Sequence, residues 1–159
     1  MNRKLFFLTF AFVTLIAVIA VTVTAAPVKP GKKEKCPVCG MFIYKYPDWV
    51  GQISFGDGSV FFFDGGKDLF KYYFNLDKYN PGKNIRDISD MRVTDYYKVS
   101  SIDARKAFFV VGSDVFGPMG NELVAFDSKD AALEFKADHK GSDMLTFEQV
   151  TPAVIDGLD

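Results

Sequence analysis

The chain contains a cluster of sulfur-bearing side chains that could hold a soft metal ion. Its two cysteines, Cys36 and Cys39, are followed closely by Met41, so three sulfur groups lie within six residues. Thiolates and thioethers prefer copper(I) to magnesium, calcium or manganese because a polarisable donor matches a soft cation. The segment 36–41 therefore predicts a copper(I) site.

A further candidate ligand, Met119, lies far along the chain between glycines. The segment 117–120 reads Gly-Pro-Met-Gly and belongs to the connection 112–122, which is longer than a hairpin needs and poor in apolar neighbours. Methionine usually fills gaps in a core, but this setting predicts a loop that presents a thioether to a metal and withdraws it. Glu122, nearby, is a candidate oxygen ligand, although a solvated loop end is its more ordinary role.

The cysteine pair also has two interpretations that involve no metal. In an oxidising compartment the thiols can form a disulfide, and their spacing also suits thiol–disulfide exchange. A loop this short gains little from closure, and Gly40 followed by aromatic and β-branched residues favours a turn over the helix start of a redox motif. Copper(I) binding is the favoured interpretation, and thiol–disulfide exchange is the alternative.

Other kinds of site are disfavoured by counting. Two cysteines and one histidine supply too few ligands for a structural zinc or iron–sulfur site, unless carboxylates or a second chain contribute. The histidine, His139, ends a predicted helix just before Gly141, where an imidazole can satisfy terminal carbonyls, so a structural role is favoured. No catalytic triad or phosphate-binding loop stands out, and we expect no enzymatic activity.

Composition limits the partners. Nineteen basic and twenty acidic residues give a formal net charge of -1, so the electrostatic field of the whole molecule would not attract nucleic acid. Residues 1–26 carry a basic start and an apolar run, as in a signal peptide or an uncleaved membrane anchor, and 27–35 form a linker. We expect export to the periplasm or to the outer face of the cytoplasmic membrane, with membrane attachment through the N-terminal helix if it is retained.

The elements that must position these residues form two related halves. Alternation and helical spacing predict an α+β fold with two small antiparallel or mixed sheets, each with a helix. The element order recurs, and Phe-Asp followed by Lys-Asp occurs in both halves, which indicates tandem duplication of a strand-strand-helix-strand unit. Asp64 is predicted to cap the first helix. The predicted units span 36–103 and 104–159, with strands at 49–55, 60–63, 92–99, 107–111, 123–126 and 144–150, and the second helix at 128–139.

The motifs together resemble the NosL family of exported copper chaperones, which serve the maturation of nitrous oxide reductase, an enzyme of denitrification. The resemblance implies copper(I) held by Cys36, Cys39, Met41 and Met119, with an acceptor cuproenzyme and its maturation machinery as partners. Many relatives are lipoproteins, whereas residues 1–26 lack a lipid-acceptor cysteine. The matching segments are Cys-Pro-Val-Cys-Gly-Met at 36–41, Phe-Asp-Gly at 63–65, Lys-Asp at 67–68 and Gly-Pro-Met-Gly at 117–120.

Overall fold

The computed structural model describes residues 29–159 of the chain. The predicted signal peptide or anchor at 1–26 and the first residues of the linker lie outside this range. Within the described residues, no helix has the length and apolar character needed to cross a membrane.

Across residues 29–159, seven strands form one mixed sheet. The strands are β1 Gly51–Phe55, β2 Val60–Phe63, β3 Ile88–Asp95, β4 Ser100–Asp103, β5 Phe108–Val111, β6 Val124–Phe126 and β7 Asp143–Thr146. Their order is β2-β1-β3-β6-β5-β7, and β4 also pairs with β3. The described pairs are antiparallel, except that β3 and β6 are parallel.

The two predicted helices follow strands in the predicted order, two short helices are additional, and the α+β class is confirmed. The helices are α1 Gly66–Phe74, α2 Leu76–Tyr79, α3 Lys129–Asp138 and α4 Pro152–Asp156. Short 3-10 turns cover Ile43–Lys45, Pro47–Trp49, Ile85–Asp87 and Phe147–Gln149. Helix α3 begins where Ser128 accepts a hydrogen bond from the Ala131 amide at 3.2 Å, as its type and position predict.

The prediction of two separate small sheets is wrong, because the strands of the two halves are continuous in one sheet. The junction is the parallel pairing of Asp95 with Ala125. The buried Asp95 carboxylate reinforces it by accepting hydrogen bonds from the Lys98 amide at 2.8 Å and the Asp127 amide at 2.7 Å. The turn that Asp95 stabilises also ends β3 earlier than the predicted strand at 92–99, and Val99 has a φ of 49° there.

Aromatic side chains form a second contact between the two halves, in addition to the sheet. Phe70 of α1 is fully buried, and its ring lies 5.3 Å from Phe109 of β5 and 5.2 Å from Phe147. Burying a ring of this size contributes about 1.5–3 kcal/mol. Helix α1 therefore belongs by sequence to the first half but packs against the second half too.

Candidate metal centre

The segment 36–41 closes on itself and places both thiols together. The Cys36 amide donates to the Met41 carbonyl at 2.9 Å, and the Gly40 amide donates to the Cys36 carbonyl at 2.9 Å. Gly40 has a φ of 78°, a left-handed conformation that residues with a Cβ adopt at a cost. The turn predicted from Gly40 is therefore present, and it leads to an isolated bridge between Lys35 and Phe42.

Two carboxylates complete a cluster with the thiols. One ligand atom from each of Cys36, Cys39, Asp64 and Asp68 lies within 4.8 Å of the others. The Cys36 thiol donates to Asp68 Oδ2 at 3.2 Å, and the Cys39 thiol donates to Asp64 Oδ1 at 3.2 Å. Both cysteines are free thiols. Each sulfur therefore has its own proton acceptor at hydrogen-bond distance.

The carboxylates come from the end of β2 and the first turn of α1. Asp64 follows β2 directly, and Asp68 is the third residue of α1, where the helix dipole favours a negative charge. The prediction that Asp64 caps α1 is wrong, because the N-cap residue is Gly65. The Asp64 carboxylate instead contacts Cys39, across 25 residues of sequence.

Burial keeps the thiols protonated in the absence of a cation. It raises the pKa of Cys36 far above its ordinary value, against the opposing effect of the Cys39 amide, and the Asp68 charge raises it further. Burial also raises the pKa of Cys39 to about 12, although the Met41 amide opposes the shift. Thiol–disulfide exchange uses a depressed thiol pKa, so the cluster has the opposite electrostatic character. A bound cation would compensate for the buried negative charge.

The loop that carries Met119 is attached to α1. Met119 is 43% exposed, and its carbonyl accepts a hydrogen bond from Lys67 Nζ at 2.9 Å. Lys67 immediately precedes Asp68, whose carboxylate accepts from Cys36. The structure therefore brings the backbone of the Met119 loop to the same helical turn as the cluster. Met41 is half-buried and closes the cysteine turn through its carbonyl.

Two other residues considered as ligands have different roles. Glu122 is 3% exposed, so it is not a solvated loop end. Its Oε1 accepts hydrogen bonds from the Leu123 amide at 2.9 Å and from the Lys67 amide. Burial raises its pKa to about 8. His139 ends α3 as its C-cap, and its Nδ1 lies 3.1 Å from Asp114 Oδ1. It is no member of the cysteine and aspartate cluster.

Sequence reasoning missed Asp64 and Asp68 as part of the site. Their close spacing at a strand-to-helix junction is a signal that could have identified them. The contact with the cysteines, however, spans 25 and 32 residues. Such long-range contacts cannot be read from a local pattern.

Comparisons with known proteins agree on one family. The NosL family model matches residues 27–155. The crystal structure of the copper chaperone NosL from Shewanella denitrificans is 26% identical, with a TM-score of 0.68, over 80% of this chain and 97% of that one. The solution NMR structure of apo-NosL from Achromobacter cycloclastes is 28% identical, with a TM-score of 0.47, over 66% of this chain and 87% of that one. Among curated proteins, no sequence matches.

Proposed function

The chain belongs to the NosL family, and from this premise we propose that it is a metallochaperone that binds copper(I) and delivers it to a cuproenzyme outside the cytoplasm. The expected acceptor is nitrous oxide reductase, together with its maturation machinery. The protein transfers an ion and catalyses no covalent chemistry. The copper chaperone from Shewanella denitrificans, similar over 97% of its length, supports copper as the cargo.

The observation that carries this proposal is the pair of free thiols with a carboxylate beside each. A thiol must lose its proton before its sulfur binds a metal, so metal binding releases protons. Asp68 and Asp64 lie 3.2 Å from Cys36 and Cys39, respectively, and can relay those protons to water as copper(I) arrives. The reverse transfer returns a proton to each sulfur as the ion leaves. The cluster is therefore suited to reversible loading.

Thioethers from two parts of the chain are expected to complete the donor set. Met41 belongs to the cysteine turn itself, and Met119 is exposed on a loop held by α1. A thioether is neutral, so its detachment leaves no unpaired charge behind. Copper(I) is well served by a small number of soft ligands, which leaves room for a ligand of the acceptor to enter before Met119 departs.

Delivery is proposed to take place in the periplasm or at the outer face of the cytoplasmic membrane. The basis is the sequence of residues 1–26, whose basic start and apolar run have the pattern of an export signal. If this segment is retained, it would attach the protein to the membrane. The net charge of -1 favours no nucleic acid partner.

Copper(I) titration of the reduced protein, in competition with a chromophoric copper(I) chelator, tests the proposal. The wild type should bind one equivalent tightly. Cys36→Ser and Cys39→Ser should each weaken binding by several orders of magnitude, because a hydroxyl is a hard donor. Met119→Leu should weaken it about tenfold, or about 1.4 kcal/mol. Met144→Leu is the matched control, since Met144 packs in the separate aromatic cluster of the second half.

Two outcomes would contradict the proposal. One is the absence of tight copper(I) binding by the reduced wild type. The other is equal weakening by Met119→Leu and Met144→Leu, which would indicate a general effect of methionine replacement. A disulfide exchange protein would instead reduce a disulfide substrate at a rate that Met119→Leu leaves unchanged, and this assay on the same variants separates the alternatives.

A further inference from the structure

A buried lysine lies at the junction of the two halves, next to the cysteine cluster. Lys67 of α1 is 3% exposed. Its Nζ donates to the Met119 carbonyl at 2.9 Å and to the Leu158 carbonyl at 3.2 Å, and it lies 3.7 Å from Asp159 Oδ1. An ammonium has three donors, and a buried charge is costly unless it is paired. All three partners belong to the second half of the chain, so Lys67 ties α1 to that half.

Glu122 makes a second connection between the same elements, in the opposite direction. Its carboxylate comes from the end of the Met119 loop and accepts from the Lys67 amide in the first turn of α1. Gly65 is needed here because a Cβ on it would overlap the Glu122 carboxylate. A Cβ on Gly117 would lie 2.9 Å from Glu122 Cγ. The start of α1 and both ends of the segment 117–122 are therefore interlocked.

The two connections fix the backbone of the loop but leave the Met119 side chain exposed. Asp68 contacts Cys36 at 3.2 Å and directly follows Lys67, so the residue that holds the loop and the residue that contacts the thiol are adjacent in the chain. A loop already ordered before binding loses less conformational entropy when its side chain engages a ligand. We call the contacts of Lys67 and Glu122 with the Met119 loop the tether. The tether therefore favours binding of the ion without itself contacting it.

We propose that Lys67 and Glu122 are positioning residues that hold the Met119 loop beside the cysteine cluster and thereby determine how much Met119 contributes to copper(I) affinity. This inference rests on the proposed function. It assigns a role to two ionisable residues that are not ligands. It also predicts a limit: loosening the tether can cost no more affinity than the loss of the Met119 thioether itself.

A double-mutant cycle tests the proposal. Lys67→Met keeps an unbranched side chain but removes the ammonium, and it should weaken copper(I) binding about tenfold, as Met119→Leu does. In the Met119→Leu background, Lys67→Met should add almost nothing, because the two changes act through one contact. The matched control is Lys71→Met, since Lys71 lies on the same helix and pairs with Asp159 but not with the loop. It should leave the affinity unchanged.

Glu122 supplies an independent arm of the experiment. Glu122→Gln keeps an oxygen that can accept from the Lys67 amide and should retain the affinity, whereas Glu122→Ala should lower it about tenfold. Unfolding by urea is measured for every variant. Should Lys67→Met fail to fold, the comparison of Glu122→Ala with Glu122→Gln, each with and without Met119→Leu, decides the question.

A measurement on the metal-free protein separates this inference from the proposed function. With the methionine methyl groups labelled with ¹³C, NMR relaxation should show greater fast motion of Met119 in Lys67→Met than in the wild type or Lys71→Met. Unchanged Met119 motion, or equal weakening of copper(I) binding by Lys67→Met with and without Met119→Leu, would overturn the inference. So would an unchanged affinity in Met119→Leu.

Failure of the wild type to bind copper(I), with Met119 motion responding as expected, would overturn the proposed function but not the tether.

Discussion

The copper(I) affinity of the cysteine pair should depend steeply on pH. Burial raises the pKa of Cys36 far above its ordinary value and that of Cys39 to about 12, so both metal-free thiols keep their protons near neutral pH. Binding through both sulfurs then releases two protons, and affinity falls as pH falls. The apparent association constant should rise about 100-fold per pH unit, or about 10⁴-fold between about pH 6 and pH 8, which is about 5.5 kcal/mol.

Competition with a chromophoric copper(I) chelator, corrected for the protonation of the chelator, measures this slope. Cys39→Ser removes one releasable proton, so its slope should fall to about tenfold per pH unit, and the ratio of the two slopes counts the participating thiols. A wild-type affinity that is independent of pH would exclude binding through two protonated thiols. It would mean either that the thiols are ionised before the metal binds or that they are not ligands.

Three further predictions concern the fold that supports the site. Phe70→Ala should lower the free energy of unfolding in urea by about 3–5 kcal/mol, whereas Leu133→Ala on the exposed face of α3 should cost under about 1 kcal/mol; equal effects would argue against a shared core. Gly40→Ala should cost about 1–2 kcal/mol because of its positive φ, and Gly31→Ala should cost far less if this reason is correct. Burial raises the pKa of Glu122 from 4.5 to about 8, so the contribution of Glu122 to stability should be fully present below about pH 4.5 and fall by up to about 1.4 kcal/mol per unit as pH rises between these values. This fall should be absent in Glu122→Gln, and parallel curves for the two proteins would contradict it.

Local rules recover the parts of the structure that depend on local chemistry. The start of α3 at Ser128 and the turn at Gly40 each follow from the conformational preference of one residue. Strand β2 has the predicted bounds, Val60–Phe63, because a short apolar, β-prone segment beside a tight turn strongly favours an extended conformation.

The remainder depends on contacts that no local pattern contains. Asp64 precedes a helix and fits the cap rule, yet its carboxylate faces Cys39 because the cysteine turn folds onto the start of α1. Strand β4, Ser100–Asp103, is absent from the prediction because it is short, polar and without alternation, and it forms because β3 supplies a partner. Glu122 has a loop-like sequence context, but a helix N-terminus buries it.

X-ray absorption at the selenium edge shows directly whether thioether and thiolate sulfurs from the two halves share one copper(I) ion. The protein is labelled with selenomethionine and loaded with one equivalent of copper(I). We expect a copper neighbour to selenium in the wild type, reduced in Met119→Leu and unchanged in Met144→Leu. A copper–selenium signal that persists undiminished in Met119→Leu, or no such signal in the wild type, would contradict it.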